Sequence, residues 1–170
     1  MSAVPQASLM LSPDSYRRID REIAKYPTEY KQSAVIAALA IAQQQIGWLP
    51  EEVITEVAAY LEMAPIAVYE VASFYGMYNL QPTGRCKLTL CTNLPCALSG
   101  ANRAAERLKQ RLGIGFGETT ADGQFTLKEG ECLGACGDAP VMLVNNTRME
   151  SFLDDGRLDA LLDELKAVKR

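Results

Sequence analysis

Histidine is absent from the 170-residue sequence, and this absence excludes more chemistry than any other count. Ser-His-Asp and Cys-His catalysis, His-ligated catalytic zinc and Rieske-type clusters all need an imidazole. Thiolates and carboxylates are the ligands that remain. Long apolar runs are also missing. The longest, SAVIAALAIA at Ser33–Ala42, is half of the roughly 20 residues a membrane helix needs, so no direct membrane insertion is expected. No Lys/Arg run occurs and the formal net charge is -4. Nucleic acid is therefore not an expected partner, because phosphate binding needs a concentrated basic face. The opening residues MSAVPQASLMLSPDSY lack the basic start and continuous apolar stretch of a secretory signal, so a reducing cytosolic setting is expected. The five cysteines are odd in number, which argues against a disulfide framework. No two of them have the C-x-x-C spacing of a thiol redox pair.

At 48% hydrophobic, the chain can bury one ordinary core with a smaller bundle attached. Its organisation changes near Pro82. Before that point the punctuation predicts four helices. Ser12, Pro13 and Asp14 form an N-terminal start for a helix running to about Lys25. Val35, Leu39, Ala42 and Ile46 form a stripe stopped by Gly47. Pro50 opens a third helix with Val53, Val57 and Leu61 inward, and Pro65 a fourth with Val68, Val71, Ala72 and Tyr75 inward. The exit, SFYGMYNLQPTG, is rich in aromatic residues and Met for a connector. Phe74 to Tyr78 is a candidate either for a core wedge or for part of a docking surface.

After Pro82 the period becomes two. Cys86, Leu88 and Leu90 alternate with Arg85, Lys87 and Thr89 as in a half-buried strand. This strand runs into the turn-rich CTNLPC. A helical stripe at Ala101, Ala104, Ala105, Leu108 and Leu112 follows, ended by Gly113. Next are expected a strand at Gln124 to Lys128, the apolar run VMLV, and a return strand after Asn145 and Asn146. The last helix points Leu158, Leu161, Leu162 and Leu165 inward, with Lys166, Lys169 and Arg170 at its dipole-favoured end. The fold expected is α+β: a small N-terminal helical bundle over 1–80, then a thioredoxin-sized α/β domain over 81–170.

The chemistry lies in the cysteines. Cys91 and Cys96 are C-x4-C, and 35 residues later Cys132 and Cys136 are C-x3-C in the loop GECLGACGDAP. Both pairs follow predicted strands, so strands adjacent in one sheet would bring the four thiols to one end. Four thiolates suit either a structural zinc or a 2Fe-2S cluster. The runs of a four-iron cluster or a plant-type ferredoxin are absent. Gly130, Gly134 and Gly137 would let backbone N–H groups approach bridging sulfides, which a lone zinc lacks. These features rank the cluster first, a zinc-stabilised interaction module second and a thiol/disulfide pair third. Cys86 shares a strand face with Leu88 and Leu90 and is expected to be a small buried hydrophobe. Neither G-x-G-x-x-G after the first strand nor G-x-x-x-x-G-K is present, so no dinucleotide phosphate site is expected here. GIGFGE at 113–118 follows a helix and reads as a loop. The paired acids Glu51/Glu52 and Asp154/Asp155 read as helix-start and turn residues rather than catalytic ones.

CTNLPC together with GETTADGQFTLKEGECLGACGDAPVMLVN resembles the family of thioredoxin-like 2Fe-2S subunits of bacterial NADH:quinone oxidoreductase, respiratory complex I, whose mitochondrial counterpart is the small subunit of the flavoprotein fraction. The likeness extends upstream through ALAIAQQQIGWLPEEV and VASFYGMYNLQPTG. It implies that Cys91, Cys96, Cys132 and Cys136 ligate a 2Fe-2S cluster. It also implies that FMN and NADH sit on a partner flavoprotein, which exchanges one electron with this chain off the main path to quinone. A larger iron-sulfur subunit would be a second partner. The chain would be peripheral, on the cytoplasmic side of the inner membrane, attached through the complex. Related subunits serve NAD-linked formate dehydrogenases and NAD-reducing hydrogenases, which leaves those assemblies as alternatives.

Overall fold

A computed structural model describes residues 10–167. Two compact units divide it, 1–82 and 83–170. Lys169 and Arg170, expected at the end of the last helix, lie outside the described residues.

The first unit holds α1 (Pro13–Ile23), α2 (Val35–Ile46), α3 (Glu51–Leu61) and α4 (Pro65–Phe74). The Ser12 side chain accepts a hydrogen bond from the Ser15 N–H, so the predicted cap is present. Gly47, at φ 97°, ends α2 in the left-handed conformation that glycine adopts most readily. Ile19, Leu39, Leu49, Ile54 and Leu61 form the centre of the core. Two features depart from the sequence reading. A 3-10 stretch, Thr28–Ala34, precedes α2, where no periodicity announced it. Tyr75 is exposed, not inward, because α4 ends at Phe74 and the next backbone step is extended. No single described helix is long and apolar enough to cross a membrane. By length and composition α3 and α4 qualify as a pair, but the chain bends by 119° between them.

The second unit is a four-stranded sheet of order β2-β1-β3-β4. Its strands are β1 (Cys86–Cys91), β2 (Phe125–Gly130), β3 (Met142–Val144) and β4 (Arg148–Glu150). β1 and β2 are parallel, β3 is antiparallel to β1, and β4 is antiparallel to β3. The carboxyl ends of β1, β2 and β4 therefore lie at one end of the sheet. Between β1 and β2 come α5 (Leu94–Leu98) and α6 (Ala101–Leu112), and α7 (Asp155–Ala167) follows β4. Leu88, Leu90, Phe125, Leu127 and Met142 of the sheet pack with Leu108 of α6 and Leu158 and Leu162 of α7.

Three ion pairs align α6 with α7: Arg103 with Asp155, Arg107 with Asp159 and Arg111 with Asp163. Each pair advances both chains by four residues, so the helices run parallel and their N-termini share the sheet end that carries the carboxyl ends of β1 and β4. β2 extends to Gly130, two residues beyond the predicted Lys128, because Glu129 and Gly130 still pair with Leu90 and Cys91. CTNLPC is not simply a turn. The Asn93 side chain accepts from the Leu94 N–H and Pro95 lies in the first turn, so a short helix forms there.

Candidate functional site

Parallel pairing of β1 with β2 sets Cys91 opposite Gly130, two residues before Cys132. The Thr92 N–H donates to the Gly130 carbonyl at 3.1 Å and the Cys91 N–H to the Val141 carbonyl at 3.0 Å. The C-x4-C segment and the C-x3-C loop thus leave the same end of the sheet as neighbours, as the sequence reading anticipated. All five thiols are free.

The four thiols differ in exposure. Cys91 and Cys96 are buried, in a small apolar cluster with Ala101 and Val141, against which Leu133, Ala135 and Ala139 pack. Cys132 and Cys136 are exposed on the loop. Burial pushes the Cys96 thiol up, a hydrogen bond with the Val141 backbone opposes it, and hydrogen bonding with the Cys91 thiol adds to the rise. Cys136 is also within electrostatic reach of Cys96, so the loop thiol and the buried pair share one environment. Among the described residues no group of three or more His, Cys, Asp or Glu side chains is placed to hold a single metal ion. Four free thiols with no imidazole in the chain are a soft donor set, and by that chemistry Cys91, Cys96, Cys132 and Cys136 would hold a 2Fe-2S cluster, which would supply one-electron exchange.

The three glycines have different reasons. Gly134, at φ 72°, donates its N–H to Cys132 Sγ at 3.4 Å, the kind of backbone contact to sulfur expected around a cluster. Gly130 is required by packing instead: an added Cβ would lie 3.0 Å from Thr89 Cγ2 and 3.3 Å from the Leu90 carbonyl oxygen. At Gly137 an added Cβ would meet nothing.

Away from the cysteines, the other candidates are structural. Glu118 accepts from the Gly115 N–H and Gly117 donates to the Leu127 carbonyl, so GIGFGE is a loop closed by its own side chain and tied to β2. Asp154 caps α7 by accepting from the Arg157 N–H, and Asp155 pairs with Arg103. Cys86 is buried with Leu88 and Leu90 in the sheet core, apart from the Cys91 and Cys96 cluster. Of the aromatic exit, Tyr78 is buried and donates to the Ile36 carbonyl, whereas Phe74, Tyr75 and Met77 are exposed. Sequence reasoning missed three side chains at the cysteine end, Leu94, Leu98 and Phe152, which are all exposed. The i, i+4 spacing of Leu94 and Leu98 was the available signal, hidden by reading that segment as a turn.

The family model for thioredoxin-like [2Fe-2S] ferredoxin matches residues 19–166. The chain is 45% identical over 152 residues to an NADH-quinone oxidoreductase subunit of Rhizobium meliloti, covering 89% of each chain. It is 41% identical over 152 residues to NADH-quinone oxidoreductase subunit 2 of Thermus thermophilus, covering 89% of this chain and 84% of that one. Among solved structures it is similar to an NAD+-reducing [NiFe]-hydrogenase in the air-oxidised state, with TM-score 0.66 and 26% identity. That match covers 76% of this chain and spans 22% of the hydrogenase chain.

Proposed function

The chain belongs to the thioredoxin-like [2Fe-2S] ferredoxin family, and on that premise we propose that it is the electron-transfer component of the NADH dehydrogenase module of NADH:quinone oxidoreductase. In this reading Cys91, Cys96, Cys132 and Cys136 hold a 2Fe-2S cluster that exchanges one electron with FMN on a partner flavoprotein. That partner also binds NADH, and a larger iron-sulfur subunit adjoins it. The observation that carries the reading is the emergence of two free-thiol pairs from paired strands at one end of the sheet. When bound, the cluster supplies one-electron exchange, which a two-electron hydride donor needs a flavin to reach. The chain's own residues have the remaining tasks. Four thiolates hold iron. The apolar neighbours of Cys91 and Cys96 keep water from one side, while the exposed Cys132 and Cys136 leave the other open to a partner. The Gly134 N–H, together with the N-termini of α6 and α7 at this end, favours negative charge there.

The equivalent component of an NAD-reducing hydrogenase is the second reading, favoured by the fold likeness above. The higher identity and fuller mutual coverage of the quinone-linked relatives place it second. Co-purification from native membranes separates the two, and in the first reading the chain appears as a peripheral cytoplasmic-side component. The exposed Phe74, Tyr75 and Met77 are candidates for part of the partner surface.

The test is anaerobic loading with iron and sulfide. A reddish-brown protein with equal iron and sulfide, bleached by dithionite, is expected. NADH alone should leave it oxidised, and NADH with the FMN-bearing partner should reduce it. Ala at any of the four cysteines should abolish the loaded spectrum. A colourless zinc protein, or an Ala variant with full iron, sulfide and paramagnetic resonance signal, would refute the ligand assignment. Reduction by NADH without flavin would refute the division of labour.

A further inference from the structure

Four described non-glycine residues have positive φ: Glu62, Asn145, Asn146 and Phe152. The first three have ordinary reasons. Glu62 closes α3, and asparagine tolerates the left-handed region in a turn. Phe152, at φ 52°, has neither excuse, since a bulky side chain in that region is strained. The residue is 53% exposed, so burial does not offset the strain. The conformation serves a local contact: the Phe152 N–H donates at 2.8 Å to the carbonyl of Asp138, the last residue of the 3-10 turn Cys136–Asp138. The β4–α7 connection is thereby tied to the loop carrying Cys136, with the ring left outward beside it.

Two further exposed apolar side chains lie at the same sheet end, Leu94 at 68% and Leu98 at 81%, on the helix that carries Cys96. The loops at that end, 92–100, 131–141 and 151–155, contain no Lys or Arg and four acids: Glu131, Asp138, Asp154 and Asp155. Of these, Asp155 is paired with Arg103, and the Arg157 guanidinium donates to the Ser151 carbonyl on the same loop, so the excess of negative charge rests on Glu131, Asp138 and Asp154 against one Arg. Apolar side chains within an acidic rim have the composition of an interface core with a charged border. A 2Fe-2S cluster held by the four thiolates of the proposed function would add further negative charge at this end.

We propose that Phe152, with Leu94 and Leu98, is the anchor by which this chain docks its electron-donating partner, and that the partner offers an apolar pocket bordered by Lys and Arg. The proposal deepens the function proposed above and rests on it. The left-handed backbone, tied to Asp138, sets the direction in which the Phe152 side chain leaves the rim of the cysteine loop, and the acidic border steers the basic partner toward it. An aromatic side chain has few rotatable bonds to immobilise on docking, which is why such residues serve as hot spots.

The test uses the cluster-loaded full chain and, as probe, the FMN-bearing flavoprotein of NADH:quinone oxidoreductase from the same organism. Phe152→Asn keeps a residue that accepts the left-handed backbone, and so the bond to Asp138, while removing the ring. Its melting temperature and cluster spectrum should match the wild type. Its affinity for the flavoprotein should fall by about tenfold or more. Leu98→Ser should weaken binding in the same direction, and wild-type affinity should fall steadily with added salt. If the wild type binds and Phe152→Asn binds within about twofold of it at an unchanged spectrum, the anchor is refuted while the electron-transfer reading stands. Affinity independent of salt would refute the basic border. If the wild type neither binds nor is reduced through the flavin, the functional reading is refuted, and the anchor with it.

Discussion

Lys87 gives the sharpest quantitative prediction. It lies in the middle of β1, is 3% exposed, and its pKa is lowered from 10.5 to about 8, first by burial and then by the charge of Lys128. A lysine with a lowered folded-state value binds its proton less well in the folded chain than in the unfolded one. Below pH 8 it is charged in both states and the full cost of holding that charge is present. As pH rises from 8 to 10.5 the folded chain loses the proton first, so the cost is relieved and stability rises relative to a chain without the group. The displacement corresponds to about 3 kcal/mol at pH 7. Most of it is returned between pH 7 and pH 10. Lys87→Met removes the titration and keeps the length of the side chain. Urea unfolding of both proteins at pH 7, 8, 9 and 10, in excess reductant, isolates the effect, because the thiols contribute equally to both curves and cancel in the difference. The variant should be the more stable at pH 7, and the gap should close toward pH 10. A gap that stays constant with pH would refute the reasoning, since the burial cost would then not reside in the protonated form.

Two further predictions concern the cysteine end and the strand leading to it. Cys86→Ala should cost about 1 kcal/mol, the scale for deleting one buried heavy atom, measured by thermal unfolding, and leave the visible and paramagnetic resonance spectra of the loaded protein alone. A shifted spectrum would show that Cys86 reaches the cluster. Gly130→Ala should destabilise the second unit by about 1–3 kcal/mol, because the new methyl group meets the Thr89 methyl group and the Leu90 carbonyl across a strand pair with little room to move. Thr89→Ser in the same chain, which removes the Thr89 methyl, should recover part of the loss in the same unfolding assay.

The elements that rest on local rules were legible in the sequence. Ser12 with Pro13, and the stops at Gly47 and Gly113, mark helix ends through backbone chemistry that needs no distant partner. Alternation over Cys86–Leu90 placed Cys86 with Leu88 and Leu90 in the core and so set it apart from the ligand candidates. The half-buried strand it predicted is instead buried on both faces, Lys87 included, because the covering of the second face comes from distant segments. The spacing of Cys91, Cys96, Cys132 and Cys136 ranked soft four-thiolate sites ahead of a thiol/disulfide pair. The tertiary structure decided what pairing across the chain decides. β2 runs on to Gly130 because Leu90 and Cys91 supply partners for its last residues, and the preference that makes Gly130 a glycine comes from Thr89, 41 positions earlier. The parallel β1–β2 pairing supplies the strand adjacency on which the meeting of the two cysteine segments depended. The same holds for Phe152. Nothing around it in the sequence marks a left-handed backbone, because the hydrogen-bond acceptor that holds it, the Asp138 carbonyl, belongs to another loop. Local propensity can be read from a few neighbouring residues, whereas strain and exposure at a docking rim arise only once distant segments have closed on one another.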